Sequence, residues 1–301
     1  MRRMSSWPNL FVVGAAKAGT TSLWRYLAAH PDVFMARVKE PHFFSGQGTT
    51  LYPGIRDEDA YLRLFVNAGA RFRGEASPSY LWWEPAAARI KEASADARIV
   101  IALRDPVERA YSVYWHSLRI GVERGGFGAA VARGLESRSP VPPFVLRSRY
   151  ARDVARFMRL FGPNVHVMLS EELARDVRRE VETLFTFLGV DPTVAGRIDL
   201  KQHNAFVRPR NRVAAGLLGS ERVRKTGQQV VPRSLRWPIE RALLRTGSKP
   251  PLDADTDALL TDFFRSDVLE VARLLRRPLP WARWPEAAAE AEQARLAHAP
   301  G

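Results

Sequence analysis

Lys17 stands inside a turn that reads Gly14-Ala-Ala-Lys17-Ala18-Gly19-Thr20-Thr21-Ser22. An ammonium, two glycines and a run of hydroxyls in so short a stretch are the parts of an anion cradle. Backbone N–H groups of a glycine-rich turn point outward, and a helix that starts there adds partial positive charge. A second group of the same kind follows in Leu103-Arg104-Asp-Pro-Val-Glu-Arg-Ala-Tyr-Ser112. There a guanidinium fork and a hydroxyl suffice to grip one phosphate. Between the two lies Lys39-Glu40-Pro-His42-Phe-Phe44, with a carboxylate and an imidazole that can accept a proton. Such groups suit a phosphorylated ligand.

The chain must supply elements that hold these residues. Leu10–Val13 is an apolar run that leads into the turn, and Leu23–Leu27 has a helical pattern after it. Arg98–Leu103 and Asn164–Leu169 are short apolar runs of the kind buried in parallel sheets. Helical patterns cover Ala86–Ala93, Tyr150–Phe161 and Thr256–Leu275. Asp105 suits an N-cap and Pro106 a first helical position, so a helix starts directly after the second apolar run. Arg104 then sits at the carboxyl end of a strand, where open α/β sheets bind ligands. Thr20 and Thr21 read equally as N-caps or as anion ligands, and the two roles are compatible. The expected fold is α/β: a P-loop-like three-layer sandwich with a central parallel sheet flanked by helices. A single domain over 1–285 is expected. Within it the basic stretch 207–251, broken by Gly and Pro and lacking strand runs, forms a cap of loops and short helices. Residues 286–301 are expected to be peripheral or disordered.

Composition narrows the class. At 301 residues and 46% hydrophobic content the chain can bury one substantial core. The net charge of +14 is carried largely by arginine, and a positive field draws in anionic substrates. There are no cysteines and no His-x-x-x-His pair, so no metal site is expected, and a reducing, cytoplasmic setting fits. No apolar run approaches the ~20 residues of a membrane span, and the Lys17 turn breaks any signal-peptide pattern.

The turn departs from the nucleotide triphosphatase loop G-x-x-x-x-G-K-[ST]: Thr20 follows the second glycine and the lysine comes earlier, at Lys17. This displaced pattern resembles the phosphosulfate-binding loop of sulfotransferases that use 3′-phosphoadenosine 5′-phosphosulfate (PAPS). Arg104 and Ser112 resemble that family's 3′-phosphate motif. Lys39-Glu40-Pro-His-Phe-Phe44 is similar to a segment of heparan sulfate sulfotransferases and their bacterial relatives. Gly74-Glu-Ala76-Ser77-Pro-Ser-Tyr80 and the segment Tyr150 to Gly189, with Glu171-Glu172-Leu173 inside it, follow in the family's order. Ala76 stands where polysaccharide-modifying relatives often carry lysine. Ser22 stands where cytosolic relatives often carry the tryptophan that stacks on adenine.

The resemblance implies a role for each group. Lys17 neutralises the leaving nucleotide, while Ala18, Gly19, Thr20, Thr21 and Ser22 bind the 5′-phosphate. Arg104 and Ser112 hold the 3′-phosphate, and Arg208 is a further cofactor group. Glu40 is the general base, with a pKa expected to be raised by burial. His42 and His116 share or replace that role. Glu40, His42, Ser77, Tyr80, Trp82 and His116 face the acceptor. Core packing is the competing reading for His42, Trp82 and Trp83, and solvated charge for Arg208, Lys201 and Arg210. The implied function is metal-independent sulfuryl transfer from PAPS, leaving 3′-phosphoadenosine 5′-phosphate (PAP), to a hydroxyl of a carbohydrate, lipid or secondary metabolite. A P-loop kinase or triphosphatase and a basic nucleic-acid-binding module are the alternatives. The displaced lysine weighs against the first, and the lack of any binding motif against the second.

Overall fold

The computed structural model describes residues 7–46, 54–66, 69–119, 122–123, 125–136, 140–200, 207–209, 244–247 and 249–297. In chain order the elements begin with β1 (Leu10–Gly14), α1 (Thr20–Ala28), β2 (Val33–Met35), α2 (Phe43–Gly46) and α3 (Glu58–Leu62). Then come β3 (Phe72–Ala76), α4 (Glu84–Ala93), β4 (Arg98–Leu103), α5 (Pro106–Arg119), α6 (Phe127–Glu136) and α7 (Pro143–Leu146). The remainder is α8 (Ala151–Phe161), β5 (Val165–Leu169), α9 (Ser170–Arg175), α10 (Val177–Leu188), β6 (Val207–Pro209), β7 (Leu244–Thr246), α11 (Ala254–Leu275) and α12 (Ala287–Leu296).

The chain divides into two compact units, residues 1–105, 149–203 and 264–301, and residues 106–148 and 204–263. The first holds a five-stranded sheet in the order β2-β3-β1-β4-β5, with every neighbouring pair parallel. Residues of β1 are buried throughout and β4 is buried beyond Arg98, because helices cover the sheet. Helix α1 packs on β1, β2 and β3, whereas α8 packs on β4 and β5. The strand order reverses between β1 and β4. The loops that leave their carboxyl ends therefore flank the crevice where open α/β sheets take ligands.

Strand β3, Phe-Arg-Gly-Glu-Ala, has no apolar run, yet all five residues are buried. Its charged residues are tolerated because they find partners: Arg73 donates to the Trp7 carbonyl at 3.1 Å, and Glu75 accepts three hydroxyl hydrogen bonds. Gly14 ends β1 at φ +152°, and a Cβ there would lie 2.6 Å from that of Leu81, so the turn onto α1 needs glycine.

The second unit gathers α5, α6 and α7 around Tyr111, Tyr114, Phe127 and Phe144, whose rings pack at centroid distances of 4.9–5.7 Å. Buried Arg109 donates to the Ser148 hydroxyl at 2.9 Å within the same unit. In the stretch 207–251, β6 pairs antiparallel with β7, which corrects the expectation that this segment has no strand. The pairing is only three residues long on each side, too short to leave an apolar signature. The side chain of Arg208, together with Lys201 and Arg210, lies outside the described residues. In the first unit, tail residues 287–296 form α12, tied to α11 by Arg273–Glu290 at 2.7 Å and by an Arg265–Glu286 pair.

Candidate active site

The turn after β1 reaches α1 through Lys17 at φ +70° and Gly19 at φ +94°. Gly19 is the N-cap residue and offers no side-chain cap, so Thr20 and Thr21 are the first helical residues rather than caps. The Ser22 amide donates to the Gly19 carbonyl at 2.9 Å, while the Thr20 and Thr21 amides at the start of α1 receive no side-chain cap. No acidic residue stands in that first turn. Two threonine hydroxyls, a lysine on the turn, and a nine-residue helix pointing its positive end there fit a phosphate or sulfate group.

The Glu40–His42 segment runs along the carboxyl end of β3. The Glu40 amide donates to the Ala76 carbonyl at 3.1 Å, and the His42 amide to the Ser77 hydroxyl at 3.0 Å. Glu40 (φ +61°) and His42 (φ +52°) are both left-handed, as is Lys17. Left-handed backbone costs a non-glycine residue about 1–3 kcal/mol, and such residues concentrate at functional sites when surrounding bonds over-determine them. Three of the residues named above for catalysis carry this strain.

Glu40 Oε2 lies 3.5 Å from His42 Nε2, and Glu40 Oε1 pairs with Lys39. Burial raises the Glu40 pKa, but the His42 ring and the Lys39 charge outweigh it and hold the carboxyl down at about 2. This corrects the expectation of a burial-raised base: the side chain is 40% exposed and lies beside a cation. Glu40 is therefore a charged acceptor throughout the neutral range. On the other side of the ring, His42 Nδ1 meets Ser79 Oγ at 2.7 Å, and Ser79 meets Ser45 Oγ at 2.6 Å. With a charged carboxylate at Nε2, that nitrogen carries the hydrogen. Nδ1 then accepts from Ser79, which accepts from Ser45. His42 is 5% exposed, so its surroundings are those of a core histidine while its outer nitrogen faces Glu40.

Beneath this lies Glu75, 1% exposed. Its carboxylate accepts from Ser77 at 2.6 Å, Tyr80 at 2.6 Å and Tyr61 at 3.0 Å. Burial pushes the Glu75 carboxyl up, and the three hydroxyls work against that shift. Ser77 and Tyr80 were expected at the acceptor. Both are fully buried and spend their hydroxyls on Glu75, so they build the floor under His42 instead. Trp82 and Trp83 are half-buried and meet edge to face at 5.9 Å, so neither is a core tryptophan. Glu75, Ser79 and Ser45 were not singled out from sequence. The alternation of hydroxyls after Glu75 in Glu-Ala-Ser-Pro-Ser-Tyr is the signal that could have found Glu75 and Ser79; Ser45 carried none.

Arg104 follows the last residue of β4 and is half-buried in the first unit. Ser112 and His116 lie one helical turn apart on α5, in the second unit, where Ser112 is buried and His116 Nδ1 lies 3.2 Å from Arg119. Among the described residues no cluster of His, Asp or Glu has the arrangement of a metal site, and no helix is long and apolar enough to cross a membrane.

The sulfotransferase domain family matches residues 8–222. The chain belongs to that family. Its members use PAPS, and the cradle after β1 suits the phosphosulfate end of that donor. The chain is 33% identical to a sulfotransferase of Alicyclobacillus acidocaldarius whose crystal structure superposes with a TM-score of 0.66, covering 91% of this chain and 97% of that one. It is 28% identical to the mouse bifunctional heparan sulfate N-deacetylase/N-sulfotransferase 1, over 89% of this chain and 30% of that protein. It is also 30% identical to the mouse heparan sulfate glucosamine 3-O-sulfotransferase 6, over 64% of this chain and 55% of that protein. The chain thus spans three-tenths of the length of the first relative and about half of the second.

Two outcomes follow from the geometry. Replacing Glu75 by alanine strands three buried hydroxyls, each costing about 1–3 kcal/mol. Urea unfolding of Glu75→Ala should show a loss of ~3 kcal/mol or more; a loss below ~1 kcal/mol would contradict the network. Glu40, titrating at about 2, keeps its charge as pH falls through the ordinary carboxylate range. The pH profile of kcat/KM should accordingly carry no step near about 4–5, and a step there that disappears in Glu40→Gln would contradict the assignment.

Proposed function

We propose that this domain transfers a sulfuryl group from PAPS to a hydroxyl of a carbohydrate, lipid or secondary-metabolite acceptor, with Glu40 taking the hydroxyl hydrogen. The observation that carries this reading is the Glu40 carboxylate set 3.5 Å from a His42 ring that Ser79 holds from behind at 2.7 Å. When bound, PAPS supplies the sulfuryl group, which passes in line to the acceptor oxygen while the S–O bond to the nucleotide breaks. The amides of Gly19, Thr20 and Thr21 and the two threonine hydroxyls hold the 5′-phosphate. Lys17 places its ammonium where negative charge develops on the departing oxygen. Arg104 takes the 3′-phosphate.

A carboxylate with a pKa of about 2 is a weak base at rest. It serves as a fixed acceptor that orients the hydroxyl, and it receives the proton as bond formation to sulfur makes that hydroxyl acidic. His42 keeps Glu40 aimed and, through its protonated Nε2, stabilises the charge while the acceptor approaches. An amine acceptor attacks as the neutral base and sheds its proton after the new bond has formed. The Glu40–His42 pair is better matched to a hydroxyl, which must lose its hydrogen as the bond forms.

Labelled PAPS tests the reading. An N-acetylated amino-sugar oligosaccharide should take the label on oxygen, and labelling confined to the free-amine counterpart would overturn the hydroxyl assignment. Lys17→Ala should lower kcat by about 10²–10³-fold while PAP affinity changes far less. Turnover close to wild type would remove Lys17 from the leaving-group role.

A further inference from the structure

Helix α9 starts directly after β5, and its first two residues reach both anion-binding elements of the first unit. Ser170 Oγ lies 2.9 Å from the carbonyl of Ala18, in the Lys17 turn, and 2.9 Å from that of Leu103, the residue before Arg104. One hydroxyl hydrogen is shared between two segments that the sequence separates widely. Glu171 accepts the Asp105 amide at 2.9 Å on one oxygen and the Trp281 indole N–H at 3.1 Å on the other. Arg283 holds the Asp105 carboxylate at 2.7 Å, and the Tyr150 hydroxyl donates to the Arg104 carbonyl at 2.9 Å.

The backbone on both sides of Arg104 is thereby clamped. Its preceding carbonyl, its own carbonyl and its following amide each have a partner from a distant element. Trp281 and Arg283 lie beyond residue 222, where the family match ends. A guanidinium fork grips phosphate in a narrow geometry, and the 5′- and 3′-phosphates of one nucleotide span only a limited range of separations. A displacement of about 1 Å at such a group can cost on the order of 10²-fold.

We propose that Ser170 and Glu171 are positioning residues that set the spacing between the Lys17 turn and Arg104, so that the site selects a nucleotide bearing anionic groups at both its 5′ and 3′ ends. The inference rests on the assignment of Arg104 to the 3′-phosphate. Ser170 keeps the turn and the end of β4 in register. Glu171, braced by Trp281, fixes the direction in which Arg104 leaves the strand.

Calorimetric titration of the full chain with PAP and with adenosine 5′-phosphosulfate, which lacks the 3′-phosphate, tests it. Glu171→Ala should weaken PAP by about tenfold or more and leave the phosphosulfate within about twofold. Glu171→Gln keeps an oxygen for the Asp105 amide and should restore most of the PAP affinity. Ser170→Ala, which removes one shared hydrogen bond, should show a smaller loss with the same preference for PAP. In the Arg104→Ala background, Glu171→Ala should cost nothing further for PAP. Equal losses for both ligands in Glu171→Ala and Ser170→Ala, unchanged PAP affinity, or additive effects with Arg104→Ala would each overturn the proposal. If Arg104→Ala itself weakens both ligands equally, the 3′-phosphate assignment fails. If Arg104→Ala is selective and Glu171→Ala is not, only the positioning role fails.

Discussion

Parallel strands bring their carboxyl ends out along one edge, and the site groups of the first unit hang from that edge. The Lys17 turn leaves β1, the Ser77–Tyr80 segment leaves β3, Arg104 leaves β4 and Ser170 leaves β5. Antiparallel pairing would have sent alternate groups to opposite ends. The chemistry depends on that shared direction, and the local bonds adjust it by fractions of an ångström. The strand reversal between β1 and β4 opens the crevice, and the two loops that flank it carry the ammonium and the guanidinium.

Strain at Lys17, Glu40 and His42 is held in place by this frame. The His42 amide rests on Ser77, Ser77 rests on Glu75, and Glu75 is clasped by Tyr61 and Tyr80. A buried carboxylate is costly, and here it is offset by three hydroxyls that would otherwise be unsatisfied themselves. The stacked Phe43–Tyr61 pair, 4.3 Å between centroids, closes the same cluster. The residues that look catalytic are therefore exposed or strained, while those that make them competent are buried and neutral in appearance.

Much of this was legible from sequence. The runs Leu10–Val13 and Arg98–Leu103 became buried strands, as apolar residues on both faces favour, and Asn164–Leu169 supplied β5, where only Met168 and Leu169 are buried. The glycine spacing marked the turn between β1 and α1, since few residue types allow the positive φ found at Lys17 and Gly19. Strand β3 was not legible, because its Arg73 and Glu75 are buried through partners that no local pattern reveals. The Glu40–His42 segment stood out in the sequence, but the Glu40 pKa did not follow from burial, because His42 and Lys39 together outweigh it. Glu171 showed only as part of the Glu171-Glu172-Leu173 segment and Ser170 not at all, as their partners at Ala18, Leu103, Asp105 and Trp281 come from distant parts of the chain.

The central claim is that the turn after β1 and the arginine after β4 bind the two ends of one nucleotide. A crystal structure of the protein with PAP measures this directly. The account requires the 5′-phosphate at hydrogen-bonding distance, about 2.7–3.2 Å, from the Gly19–Thr21 amides and the 3′-phosphate on the Arg104 guanidinium of the same molecule. PAP bound with its 3′-phosphate in solvent, or with Arg104 turned away from it, would contradict the account.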